Sequence, residues 1–306
     1  MIYTVTLNPC LDYIVHTDAL RPGALCRTHG ETLYPGGKGV NVSLVCAALG
    51  LSTRALGFIA GRTGALFASL LAETGVEYDF CHLDRGMTRI NVKVSAHEQT
   101  ELNGAGPAIP ASALDRLADT LDTLGEGDWL VLSGSVPADV PADVYARFLE
   151  RVRETGAKTL VDTSGDALKN ALPCAPDLIK PNFAELDALV GGAPRSPAGL
   201  AACARELQQA GARDILISLG REGALLVPEH GGALYLPAAP GEAVQPVGIG
   251  DSMAAGWLYA RAHGFSLPEA LRFAVAAGSA AASSAWLPDR AAIEAALRQT
   301  GTPQAV

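Results

Sequence analysis

An α/β fold with a mostly parallel central sheet, helices on both of its faces and a small β-sheet lid is what this chain of 306 residues predicts. Three observations carry that expectation. From about residue 110 onward, short apolar runs alternate with stretches of helical period, the pattern of right-handed βαβ crossovers. Those runs are apolar on consecutive residues, as strands covered on both faces of a parallel sheet must be. Two stretches in the first third break the rhythm and point to a second, smaller sheet.

Residues 12–34 contain no clear helix, and the segment at 86–104 alternates Ile90, Val92 and Val94 with polar residues, the period of a half-exposed strand. These two segments are the predicted lid. Leu114, Leu117, Leu121 and Leu124 then make one apolar helix face ending at Gly125. Trp129-Leu130-Val131-Leu132 follows as a buried strand. The alternation repeats with a helix through Val144, Phe148 and Val152, stopped at Gly156, before the strand Thr159-Leu160-Val161. It repeats again with Leu200, Cys203 and Leu207, stopped at Gly211, before Ile215-Leu216-Ile217. Neither an internal repeat nor a linker rich in Pro, Gly or Ser divides the chain, so residues 1–306 are expected to form one domain with its lid.

The composition excludes several function classes. A formal net charge of −9 argues against nucleic acid as a partner, because phosphate-backbone binding needs clustered Lys and Arg. The six cysteines, Cys10, Cys26, Cys46, Cys81, Cys174 and Cys203, contain no C-x-x-C pair and read as small buried hydrophobes. The six histidines form no H-E-x-x-H. The first residues show neither a basic start nor a long apolar run, and no window reaches the ~18 apolar residues of a membrane helix. The expected location is therefore the cytoplasm, with no membrane partner.

Two glycine-bearing runs stand out. In Val247-Gly248-Ile249-Gly250-Asp251-Ser252, two glycines lead into a helix of small apolar residues, so unpaired N–H groups should point out of its first turn as an anion hole. Asp251 is placed to take a proton from an attacking hydroxyl. The bland reading is a helix cap. A hydrolase elbow is the other rival, with Ser252 as nucleophile and His263 downstream, but the final glycine of G-x-S-x-G is replaced by Ala254. In Pro35-Gly36-Gly37-Lys38-Gly39-Val40-Asn41, glycines again open a small-residue helix. This is no Walker A loop, since Gly39 follows the lysine and Thr32 stands where the first glycine belongs. It offers a bed for a small polar ligand, with Asn41 as both donor and acceptor. Asp12 suits sugar hydroxyls and Arg89 suits a phosphate, while Lys180-Pro181-Asn182-Phe183-Ala184-Glu185 and Ser218-Leu219-Gly220-Arg221-Glu222-Gly223 lie at strand ends, where a doubly wound sheet binds nucleotides.

Taken together, the runs T-L-N-P-x-L-D from Thr6, G-G-K-G-x-N from Gly36, T-R-x-N-x-K from Thr88, S-G-S-x-P from Ser133, K-P-N-x-x-E-L from Lys180, S-L-G-x-x-G-A from Ser218 and G-x-G-D-S from Gly248 resemble the phosphofructokinase B family of sugar kinases, within the ribokinase-like fold. The resemblance implies Asp251 as catalytic base, with the backbone of Gly248, Ile249 and Gly250 stabilising the phosphoryl group in transit. It implies Asp12, Gly36, Gly37 and Asn41 on sugar hydroxyls, and Lys38 and Arg89 on the sugar's own phosphate. Lys180, Asn182, Ser218, Gly220 and Gly223 would line the nucleotide site, and Glu185 with Asn182 would organise Mg2+. ATP is the implied co-substrate and a homodimer paired through the lid the implied assembly. The T-L-N-P opening, Thr88-Arg89-Ile90-Asn91 and Glu101-Leu102-Asn103-Gly104 are similar to members acting on phosphorylated ketohexoses. Fructose 1-phosphate is the first acceptor expected and tagatose 6-phosphate the alternative; an unphosphorylated sugar or nucleoside, or a sugar-phosphate-binding regulator of weak turnover, stands behind them. One position departs from the family, whose last motif usually reads G-A-G-D: Ile249 replaces the alanine and keeps its N–H.

Overall fold

A computed structural model describes residues 1–241, 244 and 247–306. Its strands are β1 (Ile2–Thr6), β2 (Cys10–His16), β3 (Gly30–Gly36), β4 (Thr53–Ala60), β5 (Glu77–Leu83), β6 (Arg89–Ser95), β7 (Gln99–Asn103), β8 (Trp129–Ser133), β9 (Lys158–Asp162), β10 (Leu178–Ile179), β11 (Asp214–Ser218), β12 (Ala224–Val227), β13 (Leu234–Leu236) and β14 (Gln304–Ala305). The larger sheet has the order β14-β13-β12-β11-β10-β9-β8-β1-β4-β5. From β11 to β5 every neighbouring pair is parallel, and β12, β13 and β14 add an antiparallel edge. Because β1 lies between β8 and β4, the direction of winding reverses there, and open α/β sheets bind ligands at the carboxyl side of such a reversal.

Consecutive apolar residues in the strands serve two helix layers. Leu130 and Leu132 of β8 face a cluster with Leu114, Leu117, Val144 and Phe148, whereas Val131 faces one with Val45, Met253, Trp257 and Val275. The first layer comes from helices such as Ala111–Leu121 and Val144–Val152, the second from Lys38–Ala48, Ile249–Ala262 and Leu267–Ala282. The first of these helices stops at Leu121, four residues before Gly125; Leu124 stays buried in the turn that follows. The cysteines depart further from expectation. Cys10, Cys46 and Cys203 are buried, but Cys26, Cys81 and Cys174 are half-exposed, and all six are free thiols.

The two stretches without helical spacing supply the second sheet, ordered β3-β2-β6-β7. Here β2 pairs parallel with β6, and antiparallel neighbours flank them. Among the described residues no helix is long and apolar enough to cross a membrane.

Candidate active site

The carboxyl ends of β1, β8 and β9 and the residue after β10 bring Thr6, Ser133, Asp162 and Lys180 to one edge of the large sheet. Helix Lys38–Ala48 starts directly against that edge. Its Val40 N–H donates to Thr6 Oγ1 at 3.1 Å, and a Cβ on Gly39 would come within 2.5 Å of the same oxygen. Gly36 is needed for a similar reason, since a Cβ there would collide with Asp12 Oδ2. These glycines let the helix and a lid strand close on the site with no side chain between.

Helix Ile249–Ala262 begins at Gly248, whose φ of +75° is left-handed, and among the described residues no side chain caps it. Its first N–H groups are therefore left for a ligand, the usual basis of an anion site. The Asp251 carboxylate accepts from Asn41 Nδ2 at 2.8 Å across 210 residues of chain and does not cap its own helix. Burial first, then the charge of Asp162, push the Asp251 pKa up to about 6, against the pull of the Asn41 hydrogen bond, Lys38 and Lys180. The hydrolase alternative loses its partner: His263 Nδ1 lies 2.8 Å from Tyr259 O on an exposed helix end, and Ser252 Oγ is buried with no partner among the described residues.

Asp162 escaped the sequence reading. It is 1% exposed and holds two ammonium groups, Lys180 Nζ at 3.0 Å and Lys38 Nζ at 3.1 Å. Burial disfavours its charge, yet the two lysines hold its pKa below the ordinary carboxylate value. Burial likewise works against the Lys38 ammonium, but Asp162, Glu185 and Asp251 raise its pKa above that of an ordinary lysine. Lys180 is 4% exposed, and a Cβ on Gly250 would lie 3.0 Å from its Nζ, so this cation borders the uncapped helix start. The signal for Asp162 was a carboxylate closing the apolar run Thr159-Leu160-Val161 at a strand end.

Other expected residues fall into three places. Asp12 sits in the second sheet, accepting from Asn91 Nδ2 at 3.2 Å and paired with Lys93 Nζ at 3.3 Å. Lys93, also missed, is the closing lysine of T-R-x-N-x-K. Arg89 donates from Nε to Asn8 O at 3.1 Å and joins Asn8, Lys38, Ser133, Thr163 and Glu185 around a cavity of about 270 Å³. A larger cavity of about 600 Å³ is lined by Gly220, Gly223, Ile249, Met253 and Gly278 among others. Ser218 stands at the end of β11, bridged to Asn182. Asn182 caps helix Phe183–Val190: its Oδ1 accepts the Glu185 N–H and Glu185 Oε2 accepts the Asn182 N–H, both at 2.9 Å. The other oxygen, Glu185 Oε1, faces Lys38 Nζ at 3.7 Å.

Among the described residues no three His, Cys, Asp or Glu side chains converge as a metal cage. A Mg2+ held mostly by waters and substrate phosphates needs only one or two protein carboxylates, and Glu185, on the wall of the smaller cavity, fits that demand. Asn182, with Oδ1 spent on the cap, fits as the residue that orients Glu185.

The doubly wound sheet, the uncapped helix start and the buried carboxylate beside it define a carbohydrate kinase of ribokinase-like fold. The model of the pfkB family carbohydrate kinases matches residues 5–285, and the chain belongs to that family. It is 39% identical to a 1-phosphofructokinase of Bacillus subtilis over 93% of each chain. It is 36% identical to a D-tagatose-1-phosphate kinase of Bacillus licheniformis over 94% of this chain and 95% of the relative. Among solved structures, phosphofructokinase-2 of Escherichia coli in complex with fructose-6-phosphate superposes with a TM-score of 0.90 at 32% identity, covering 97% of this chain and 98% of the other.

Proposed function

We propose that this protein transfers the terminal phosphoryl group of ATP to a hydroxyl of a ketohexose phosphate, and that fructose 1-phosphate, converted to the 1,6-bisphosphate, is its acceptor. The carrying observation is Asp251. It is a buried carboxylate with its pKa at about 6, held by Asn41 in the first turn of an uncapped helix. Ionised near neutral pH, it accepts the proton of the attacking hydroxyl. The N–H groups at Ile249 and Gly250, with Lys180 beside them, oppose the charge that spreads over the transferring phosphoryl oxygens. Mg2+, held through Glu185 with Asn182 behind it, would neutralise the nucleotide phosphates.

The two cavities divide the substrates. The larger one, walled by Gly220, Gly223 and Ile249, takes the nucleotide, with Ser218 at its strand end. The smaller one takes the acceptor's phosphate against Arg89 and Lys38, and in this reading Asp12, Gly36, Gly37 and Asn41, outside its lining, meet hydroxyls. The 1-phosphofructokinase relative supports fructose 1-phosphate, and the D-tagatose-1-phosphate kinase relative keeps a tagatose phosphate as the second reading. The reading places the reaction in the cytoplasm, where ATP is supplied. It also pairs two copies through the second sheet, on which Leu102 is 63% exposed and Ile90 37%.

A panel of ketohexose phosphates with ATP and Mg2+ tests the reading. ADP release should be fastest with fructose 1-phosphate. Release from none of them would leave a sugar-phosphate-binding protein without turnover and overturn the proposal.

A further inference from the structure

Asn8 has no part in the reading above, yet it sits where the two sheets join. It lies between β1 and β2, in the connection that carries the chain from the large sheet into the small one. Residues 104–106 follow β7 and bring the chain back. The Asn8 side chain spans the two connections, its Nδ2 donating to Ala105 O at 2.7 Å. Arg89 grips the same pair: Nε donates to Asn8 O at 3.1 Å and Nη1 to Gly104 O at 3.4 Å. The fit is close, because Gly106 has φ +89° and a Cβ on it would collide with Asn8 Oδ1. Asn8 itself is 8% exposed.

A guanidinium has five N–H donors in a rigid plane. Two backbone carbonyls from two different connections fix the plane of Arg89, and among the described residues Nη2 has no hydrogen-bond partner, which leaves its N–H groups for a ligand in the smaller cavity that Arg89 and Asn8 share. Those carbonyls keep their spacing only while the connections keep theirs, and the Asn8 amide is the side-chain tie between them. We propose that Asn8 is a positioning residue for phosphate recognition: by tying the outgoing and returning connections of the small sheet, it aims Arg89 at the acceptor's phosphate. This rests on the assignment of Arg89 to that phosphate. Asn8 acts on the phosphate by aiming Arg89, so its loss should weaken binding of the phosphorylated acceptor while leaving the nucleotide side intact. A merely structural clamp would instead degrade both substrates together.

Asn8→Asp keeps the shape of the side chain but exchanges the amide donor for a charged acceptor near Arg89, while Asn8→Ala removes the tie without adding that charge. Inorganic phosphate binding, measured by calorimetry on the unaltered protein and on both variants, needs no turnover, and the difference between the proteins reads the arm. Affinity for phosphate should fall at least tenfold in both variants. In the kinase assay the KM for fructose 1-phosphate should rise by a similar factor, with the KM for ATP within twofold of the unaltered protein. Phosphate affinity that is unchanged in both variants overturns the proposal, as does an ATP KM that moves in proportion, or an unaltered protein that binds no phosphate. If the unaltered protein binds phosphate but phosphorylates no ketohexose phosphate, the proposed function fails, while the calorimetric comparison still decides the role of Asn8.

Discussion

Asp162 at the end of β9 and Asp251 in the first turn of helix Ile249–Ala262 are both buried, and their pKa values move in opposite directions. Burial penalises the charge of both. Asp162 answers that penalty with two ammonium groups within 3.1 Å, whereas Asp251 has one amide donor at 2.8 Å and feels Asp162 as a repelling charge. The strand end therefore holds a permanent anion that anchors two lysines, and the helix start holds a carboxyl poised to exchange a proton. Two carboxylates forced apart in this way suit a counter-ion and a base, the roles the proposed reaction gives to Asp162 and Asp251.

The sharpest break of that contrast is Asp251→Asn. The amide cannot accept the hydroxyl proton, so turnover should fall by about 10²–10⁴-fold in a steady-state assay of ADP release. The fold should not suffer, since the change removes a buried charge without an ammonium partner. Near-normal turnover would strip Asp251 of its role as base.

Asp162→Asn should do its main damage to stability. It leaves Lys38 and Lys180 without their shared carboxylate, and Lys180 is 4% exposed. Breaking a buried pair from one side typically costs about 3–5 kcal/mol, to be read from urea unfolding. The same substitution removes the repulsion that raises the pKa of Asp251, so the acid limb of the rate profile should move to lower pH. A profile that stays in place would mean that the two aspartates do not sense each other.

The pH dependence of the unaltered protein follows from the same pair, with opposite signs. Asp251 must be ionised to act, so kcat/KM should fall as pH drops below about 6. For stability, its raised folded pKa means that the native state binds the proton more tightly than the unfolded chain. That contribution is fully present below the unfolded value of 3.8 and is lost as pH rises towards about 6, on the order of 3 kcal/mol. Asp162, held low, contributes stability present above its unfolded value and lost as pH falls. Unfolding followed from pH 4 to 7 in the unaltered protein and in Asp251→Asn separates the two, because only the unaltered protein should show the loss on raising pH through this window.

Much of this was legible in the chain, for reasons that differ by region. Strands β8, β9 and β11 announced themselves because burial on both faces demands consecutive apolar residues, and the helices before them because one face must be apolar. Asp12, Lys38, Asn41, Arg89 and Asp251 stood out because each is a polar group set among glycines or at a strand end. Asp162 and Lys93 did not, since their meaning comes from partners 124 and 81 residues away, Lys38 and Asp12, that only the folded chain brings within reach. The cap at Asn182 shows the converse: K-P-N-x-x-E-L drew attention to Asn182 and Glu185, but local spacing says nothing of whether Oδ1 faces a metal or its own helix.

The smallest effect is expected where the chain departs from its family. If the helix start acts through backbone amides, the side chain at 249 should matter little, because any residue there supplies the N–H. Ile249 is half-buried on the wall of the larger cavity, and its Cγ2 would lie 3.7 Å from a Cβ on Gly278. Its branched side chain thus packs towards helix Leu267–Ala282. Ile249→Ala should cost about 1–2 kcal/mol of stability, less than a fully buried truncation. Turnover should stay within about threefold, well short of the ~1.4 kcal/mol that separates a tenfold change. If the larger cavity takes the nucleotide as proposed, the KM for ATP should move more than the KM for the acceptor. A large fall in turnover with both KM values unchanged would show that the side chain, and not the amide alone, shapes the anion site, and the division of labour between strand end and helix start would have to be redrawn.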